Sequence, residues 1–278
     1  MDCTPILDAL ARRVPKDQNT YIAPDGILRC TNCHGTREVT IDLPGMGSKI
    51  VPCICRCMAR QRDQEIQRLK DQEAYDRIQR MRSLGFQERT LAEASFARDD
   101  RKNPKISDAL RKYAEHFAEL RKDGKGLLLY GPVGTGKTYY AACVVNEVIR
   151  SGRPALLTSF PRLINQVSGA DWADRQPMLD RLTDYSLVAL DDLGVERQTD
   201  YTIEQMTMIL DTLYRAGIPL IITTNADPSR LSKATDIRVQ RIWDRILERC
   251  HPIAVTGESR RRGKGQENFR QGKEILGI

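Results

Sequence analysis

From residue 126 to residue 255, apolar positions switch repeatedly between two periods. Leu127-Leu128-Leu129-Tyr130, Ala155-Leu156-Leu157, Leu187-Val188-Ala189-Leu190 and Leu220-Ile221-Ile222 are continuous apolar runs, as strands buried on both faces require. Between them the spacing turns helical: Ala141, Ala142, Val144, Val145, Val148 and Ile149; then Leu163, Ile164 and Val167; then Met178, Leu179 and Leu182; then Ile203, Met206, Ile209, Leu210 and Leu213. The strands are expected at 126–130, 155–160, 186–190 and 219–225. A basic helix at 239–249 leads to a short fifth strand at 253–255. Gly152, Pro154 and Gly217 punctuate the series. Strands alternating with helices predict an α/β fold with a parallel five-stranded sheet flanked by helices.

Upstream the pattern changes twice. Ile6, Leu7, Leu10 and Val14 suggest a short helix, and Pro15, Asn19, Pro24, Asp25 and Gly26 a loop. Val39, Ile41 and Leu43 alternate like a strand. Residues 58–84 are dense in Arg, Gln, Asp and Glu without proline or glycine. Ile66, Leu69, Tyr75, Ile78 and Met81 give them a thin apolar stripe, so a long charged helix ending at Gly85 is expected. It is either a solvated linker or a surface for a partner helix. Residues 86–96, with Phe86, Leu91 and Phe96, are expected to pack onto the following domain. Asn103-Pro104 opens a helix through Ile106, Leu110, Tyr113, Phe117 and Leu120. These shifts divide the chain into an N-terminal module at 1–57, a helical linker at 58–95 and an α/β domain at 96–278.

Composition narrows the class. The 278 residues are 40% hydrophobic and 29% charged, enough for a core but too polar for a membrane protein. No run approaches the ~18–20 apolar residues of a span. Met1-Asp2-Cys3-Thr4-Pro5 lacks an apolar signal core, so the cytoplasm is the expected compartment. There, eight cysteines read as metal ligands or buried thiols rather than disulfides. A net charge of +7 favours an anionic partner, nucleic acid first.

Three stretches carry chemistry. Gly131-Pro132-Val133-Gly134-Thr135-Gly136-Lys137-Thr138 follows a strand and opens a helix, the context of a phosphate-binding P-loop. Its backbone N–H groups would cradle phosphates, Lys137 would reach the β- and γ-phosphates, and Thr138 would hold Mg²⁺. The apolar strand ending on Asp191-Asp192 has the form of a Walker B motif. Asp191 would orient Mg²⁺, and Asp192 is the candidate base for an attacking water. Cys30-x-x-Cys33 and Cys53-x-Cys55-x-Cys57, separated by a turn-rich gap, resemble a zinc ribbon or knuckle. A tetrahedral site needs four ligands. Cys30 and Cys33 plus two of Cys53, Cys55 and Cys57 are expected, with one cysteine, or His34, to spare.

Together these stretches resemble the AAA+ domain of the DnaC/DnaI helicase loaders and their transposon relative IstB. The P-loop, Leu190-Asp191-Asp192-Leu193-Gly194, Thr223-Thr224-Asn225 and Arg241-Ile242-Trp243-Asp244-Arg245 carry the resemblance. The cysteine module ahead of the domain is similar to DnaI-type and phage replication loaders; DnaC and IstB proteins lack it. The resemblance implies an additional-strand P-loop fold, with Asn225 as the sensor I residue near the γ-phosphate. It also implies an arginine reaching a neighbouring subunit's nucleotide, best matched by Arg245 and next by Arg241, and a sensor II arginine at Arg260, where Arg260-Arg261-Arg262 equally forms a basic tail. Many AAA+ proteins end Walker B on Asp-Glu. Asp192 is one methylene shorter, which implies slow hydrolysis, stimulated by assembly or DNA, with Glu196 as a further acid. The implied function is a Mg²⁺-dependent ATPase that loads a hexameric replicative helicase onto single-stranded DNA. Self-association would run through the ATPase domain. The alternatives are an IstB-like transposition helper and a nucleotide-gated adaptor with little turnover.

Overall fold

The computed structural model describes residues 19–45, 47–86, 88–194, 199–231 and 236–277. The helical pattern at Ile6–Val14 and the acid Glu196 lie outside the described residues, as do the side chains at 262–267. Contacts divide the chain into two compact units, residues 1–75 and 76–278.

In the first unit, strands β1 (Thr20–Ile22) and β2 (Leu28–Cys30) pair antiparallel, with Thr20 opposite Cys30. Strands β3 (Glu38–Leu43) and β4 (Gly47–Pro52) form a second hairpin, Glu38 opposite Pro52. The alternating Val39, Ile41 and Leu43 are thus the arm of a hairpin, as expected. Helix α1 (Arg56–Gly85) begins directly after it and runs on into the second unit. Gly85 is its only buried residue; Ile66, Leu69 and Tyr75 are exposed, and Ile78 and Met81 are half-buried.

The second unit is a sheet sandwiched between helices. After α2 (Pro104–Glu115) come β5 (Gly126–Tyr130), α3 (Lys137–Arg150), β6 (Ala155–Ser159), α4 (Phe160–Gly169), α5 (Trp172–Leu182), β7 (Leu187–Asp191), α6 (Asp200–Arg215), β8 (Leu220–Thr224), α7 (Ile237–Arg249), β9 (Cys250–Ala254) and α8 (Arg260–Leu276). The five strands β5–β9 are all parallel, in the order β6-β7-β8-β5-β9. Along each central strand successive side chains enter opposite layers. Leu127, Leu129, Ala189 and Ile221 join the core beneath α2 and α3, with Phe86 and Phe96. Leu128, Val188, Leu190 and Ile222 join the core beneath α4 to α7. Burial on both faces explains why these strands read as unbroken apolar runs.

Boundaries shift by a few residues. Phe160, read as the end of a strand, is the first residue of α4 and is fully buried, with Pro161 suited to that first turn. Asp191 belongs to β7, which places its carboxylate at the strand's carboxyl end. The fifth strand begins at Cys250 rather than 253, because its whole length pairs with β5. Among the described residues, no helix is long and apolar enough to cross a membrane.

Candidate functional site

The strand order decides what meets at the carboxyl edge of the sheet. β8 lies between β5, which leads into residues 131–138, and β7, which ends on Asp191. The glycine turn, the acids and Thr223-Thr224-Asn225 therefore converge, where ligands of open α/β sheets bind.

The glycine turn has the backbone that only glycine adopts freely. Gly131 (φ 140°) packs so closely on the Val255 carbonyl that a Cβ would collide with it. Gly136 (φ 100°) caps the start of α3, and a Cβ there would strike the Arg260 guanidinium. Lys137, the first residue of α3, is buried, and its Nζ donates to three acceptors: the carbonyls of Gly131 (2.9 Å) and Pro132 (2.8 Å) and Asn225 Oδ1 (2.8 Å). Burial lowers the Lys137 pKa, and the charges of Asp192 and Asp191 oppose that shift.

Asp191 is held from two sides. Thr138 Oγ1 donates to Oδ2 (3.0 Å) and Thr223 Oγ1 to Oδ1 (2.6 Å). Burial raises its pKa, Asp192 adds to the rise, and the two hydroxyls and Lys137 counter it. Asp192 follows in the left-handed region (φ 59°), and its N–H donates to the Thr223 hydroxyl (2.9 Å). The turn is further pinned by Leu193 N–H to the Thr223 carbonyl (2.9 Å) and by Thr224 Oγ1 to the Leu193 carbonyl (2.8 Å). The structure thus brings Lys137, Thr138, Asp191, Asp192 and Asn225 together.

Arg260 joins them through the first residue of α8. Its N–H donates to the Gly134 carbonyl (2.9 Å), and its guanidinium binds Tyr140 Oη (3.1 Å) and Asp100 (2.9 Å). The Asp99 side chain, wholly buried, lies 3.8 Å away, and neither of its oxygens has a hydrogen-bond partner. Asp99, Asp100 and Tyr140 escaped the sequence reading. The charge pattern of Asp99-Asp100 was visible, but it lies some 160 residues before its partner. Arg245 is elsewhere: it pairs with Asp211 and lies over the Tyr214 ring at 5.8 Å, both on α6. With Arg238 and the exposed Arg241 it lines a cleft of about 670 Å³ between α6 and α7.

In the first unit, β2 delivers Cys30, the following turn Cys33, the residue just before α1 Cys55, and the first turn of α1 Cys57. Their sulfurs all lie within 4.8 Å of one another. A tetrahedral zinc ion with ~2.3 Å bonds sets thiolates about 3.8 Å apart, so this set fits it. Cys30 and Cys55 are buried. Backbone N–H groups of Cys57 and Gly35 lower the Cys33 thiol to about 6, whereas the crowding thiols Cys55, Cys33 and Cys30 push Cys57 up to about 12. Four thiolates so close repel one another unless a cation lies among them, which is the chemistry of a zinc ligand set. Cys53 is the spare: its Sγ turns to the Thr36 carbonyl (3.4 Å). His34 is also outside the set, with Nδ1 bound to Tyr21 Oη (3.0 Å).

A parallel five-stranded sheet with a P-loop, an acid-bearing strand and a polar strand end side by side defines a nucleotide-binding α/β domain of the AAA+ kind. The chain belongs to the IstB-like ATP binding protein family, whose profile matches residues 61–268. It is similar to the replicative helicase loader DnaI of Bacillus subtilis, 25% identical over 65% of this chain and 62% of the relative. It is also similar to a putative ATP-binding protein in an insertion sequence of Mycobacterium tuberculosis, 28% identical over 57% of this chain and 64% of the relative. The chain therefore spans less than two thirds of the length of each. Among solved structures, the crystal structure of DnaI matches with a TM-score of 0.54 and 28% identity, covering 65% of this chain and 99% of that one.

Proposed function

We propose that this protein is a Mg²⁺-dependent ATPase that loads a DnaB-type hexameric replicative helicase onto single-stranded DNA. The observation that carries this reading is one chain holding both an IstB-like nucleotide domain and a four-thiol cluster ahead of it. That combination is the one resembling the DnaI-type loaders, and DnaI is among the relatives. In this reading the β- and γ-phosphates take over Lys137 Nζ from the Gly131 and Pro132 carbonyls. Thr138 and Asp191 hold Mg²⁺, which neutralises charge on the phosphates. Asp192 accepts the proton of the attacking water, while Asn225 orients that water or the γ-phosphate. Arg260 exchanges Asp100 for phosphate oxygens. Arg245 leaves Asp211 for the nucleotide of an adjoining subunit, which makes turnover depend on self-association.

Cys30, Cys33, Cys55 and Cys57 hold zinc and stabilise the N-terminal unit, which grips the helicase. Single-stranded DNA is held by the basic surface, so its affinity falls with salt. The site of action is the cytoplasm. A second reading, an ATPase helper of transposition, is favoured by the insertion-sequence relative at 28% identity. A pull-down with the cognate helicase, with and without ATP, tests the choice: ATP-dependent capture is expected. Capture of a transposase instead of the helicase selects the second reading. ATPase rates that are equal and at background for wild type and Asp192→Asn leave only a nucleotide-gated adaptor.

A further inference from the structure

We propose that Thr223 is a positioning residue of the nucleotide site, setting the orientation of both Walker B acids through a single hydroxyl. The inference rests on the reading of residues 131–138, 191 and 192 as a nucleotide and Mg²⁺ site. Thr223 sits near the end of β8, between the P-loop strand and the Asp191 strand, with its side chain shut off from solvent. Its hydroxyl has one proton and accepts through its lone pairs. The proton goes to Asp191 Oδ1 at 2.6 Å, and a lone pair receives the Asp192 N–H at 2.9 Å. The bond to Asp191 is short and buried, and the bond from Asp192 is of ordinary length and part-buried.

The first bond fixes the rotation of the Asp191 carboxyl. With Oδ1 taken by Thr223, the other oxygen, Oδ2, is the one that faces Thr138, the proposed metal-holding hydroxyl. The second bond fixes the backbone. Asp192 occupies the left-handed region (φ 59°), which L-residues rarely adopt. Its N–H has no strand partner there, and the Thr223 hydroxyl supplies one. One hydroxyl therefore couples metal holding at Asp191 to the placing of the candidate base at Asp192. Asn225, two residues further along the same strand end, receives Lys137 Nζ. The end of β8 thus addresses the P-loop lysine and both acids within three residues.

Thr223→Val keeps the shape and removes the hydroxyl; Thr223→Ser keeps the hydroxyl and removes the methyl. Two quantities are read for each on the full chain: binding of a fluorescent ATP analogue with and without Mg²⁺, and steady-state ATP turnover. Thr223→Val is expected to bind the Mg²⁺-free analogue as wild type does and to lose most of the Mg²⁺-dependent gain in affinity. Its kcat should fall by about tenfold or more, and its KM for Mg²⁺-ATP should rise with the lost Mg²⁺-dependent affinity while Mg²⁺-free binding stays unchanged. Thr223→Ser is expected to recover both. The proposal is overturned if Thr223→Val keeps the Mg²⁺ response, if Thr223→Ser fails as badly as Thr223→Val, or if Mg²⁺-free binding drops in step. A wild-type chain that binds ATP without turning it over defeats the ATPase reading alone, because the Mg²⁺ response of binding still decides the role of Thr223.

Discussion

Lys137 spends its three donors on two P-loop carbonyls and Asn225, so its charge is stored where a phosphate chain would lie. The ammonium is buried and burial lowers its pKa, while the charges of Asp192 and Asp191 oppose that shift. Lys137→Ala removes the charge and leaves the Gly131 and Pro132 carbonyls without that donor. Loss of measurable ATP binding is expected in calorimetric titration, with the circular dichroism spectrum retained; an unchanged affinity would remove the P-loop assignment. The cysteines allow an equally local test. Purified protein is expected to contain about one zinc ion per chain by elemental analysis, as four thiolates require. Cys53→Ala should keep it, because Cys53 faces Thr36. Cys57→Ala should lose it, because Cys57 belongs to the cluster. Equal metal content in the two variants would contradict the ligand set.

At the scale of elements, α7 shows how a basic helix is anchored. Asp236 caps it by accepting the Arg238 N–H (2.8 Å), and the Arg238 guanidinium spans to Asp200 (2.6 Å) at the start of α6. That guanidinium holds the Asp236 carboxyl down to about 2, below its ordinary 3.8. A carboxyl with a depressed folded-state pKa favours folding when ionised. Its contribution is therefore complete above the ordinary value and is lost as pH falls through it towards about 2. Asp236→Ala is expected to lower the urea midpoint at neutral pH, and the difference from wild type should shrink as the pH approaches that value. A gap that stays constant down to that pH would mean the cap acts without charge. Elements of this kind were legible to different degrees. The strands announced themselves because burial on both faces leaves apolar runs, and Asp191 because it ends one of them. The choice of Cys55 and Cys57 over Cys53 was not legible, since it depends on how the β3–β4 hairpin meets α1. Neither was the seat of Arg260, which is made by Asp99 and Asp100, partners remote in sequence. Thr223 was visible only as a member of a family-like string, because a hydroxyl's partners are set by which strand lies beside it.

At the scale of the whole molecule, chemistry is segregated between the two units. Both cores of the nucleotide domain are built from residues 86 onward, with Ile78 and Met81 packed against one of them. The thiol cluster and both hairpins lie within the first unit. Among the described residues, none of 19–57 belongs to either core or is a hydrogen-bond partner of Lys137, Asp191 or Asn225. Removing 1–57 therefore deletes the thiol cluster and both hairpins while leaving the sheet, the P-loop and most of α1. Distant, independent sites add, so the shortened chain is expected to bind ATP within about twofold of the full-length affinity. It should also contain no zinc. If the N-terminal unit is the grip on the helicase, the same shortened chain should fail to retain the helicase in the ATP-dependent pull-down. Capture that survives the deletion would move the partner surface to α1 or the ATPase domain. A loss of ATP binding with the deletion would instead show that the nucleotide site depends on the first unit.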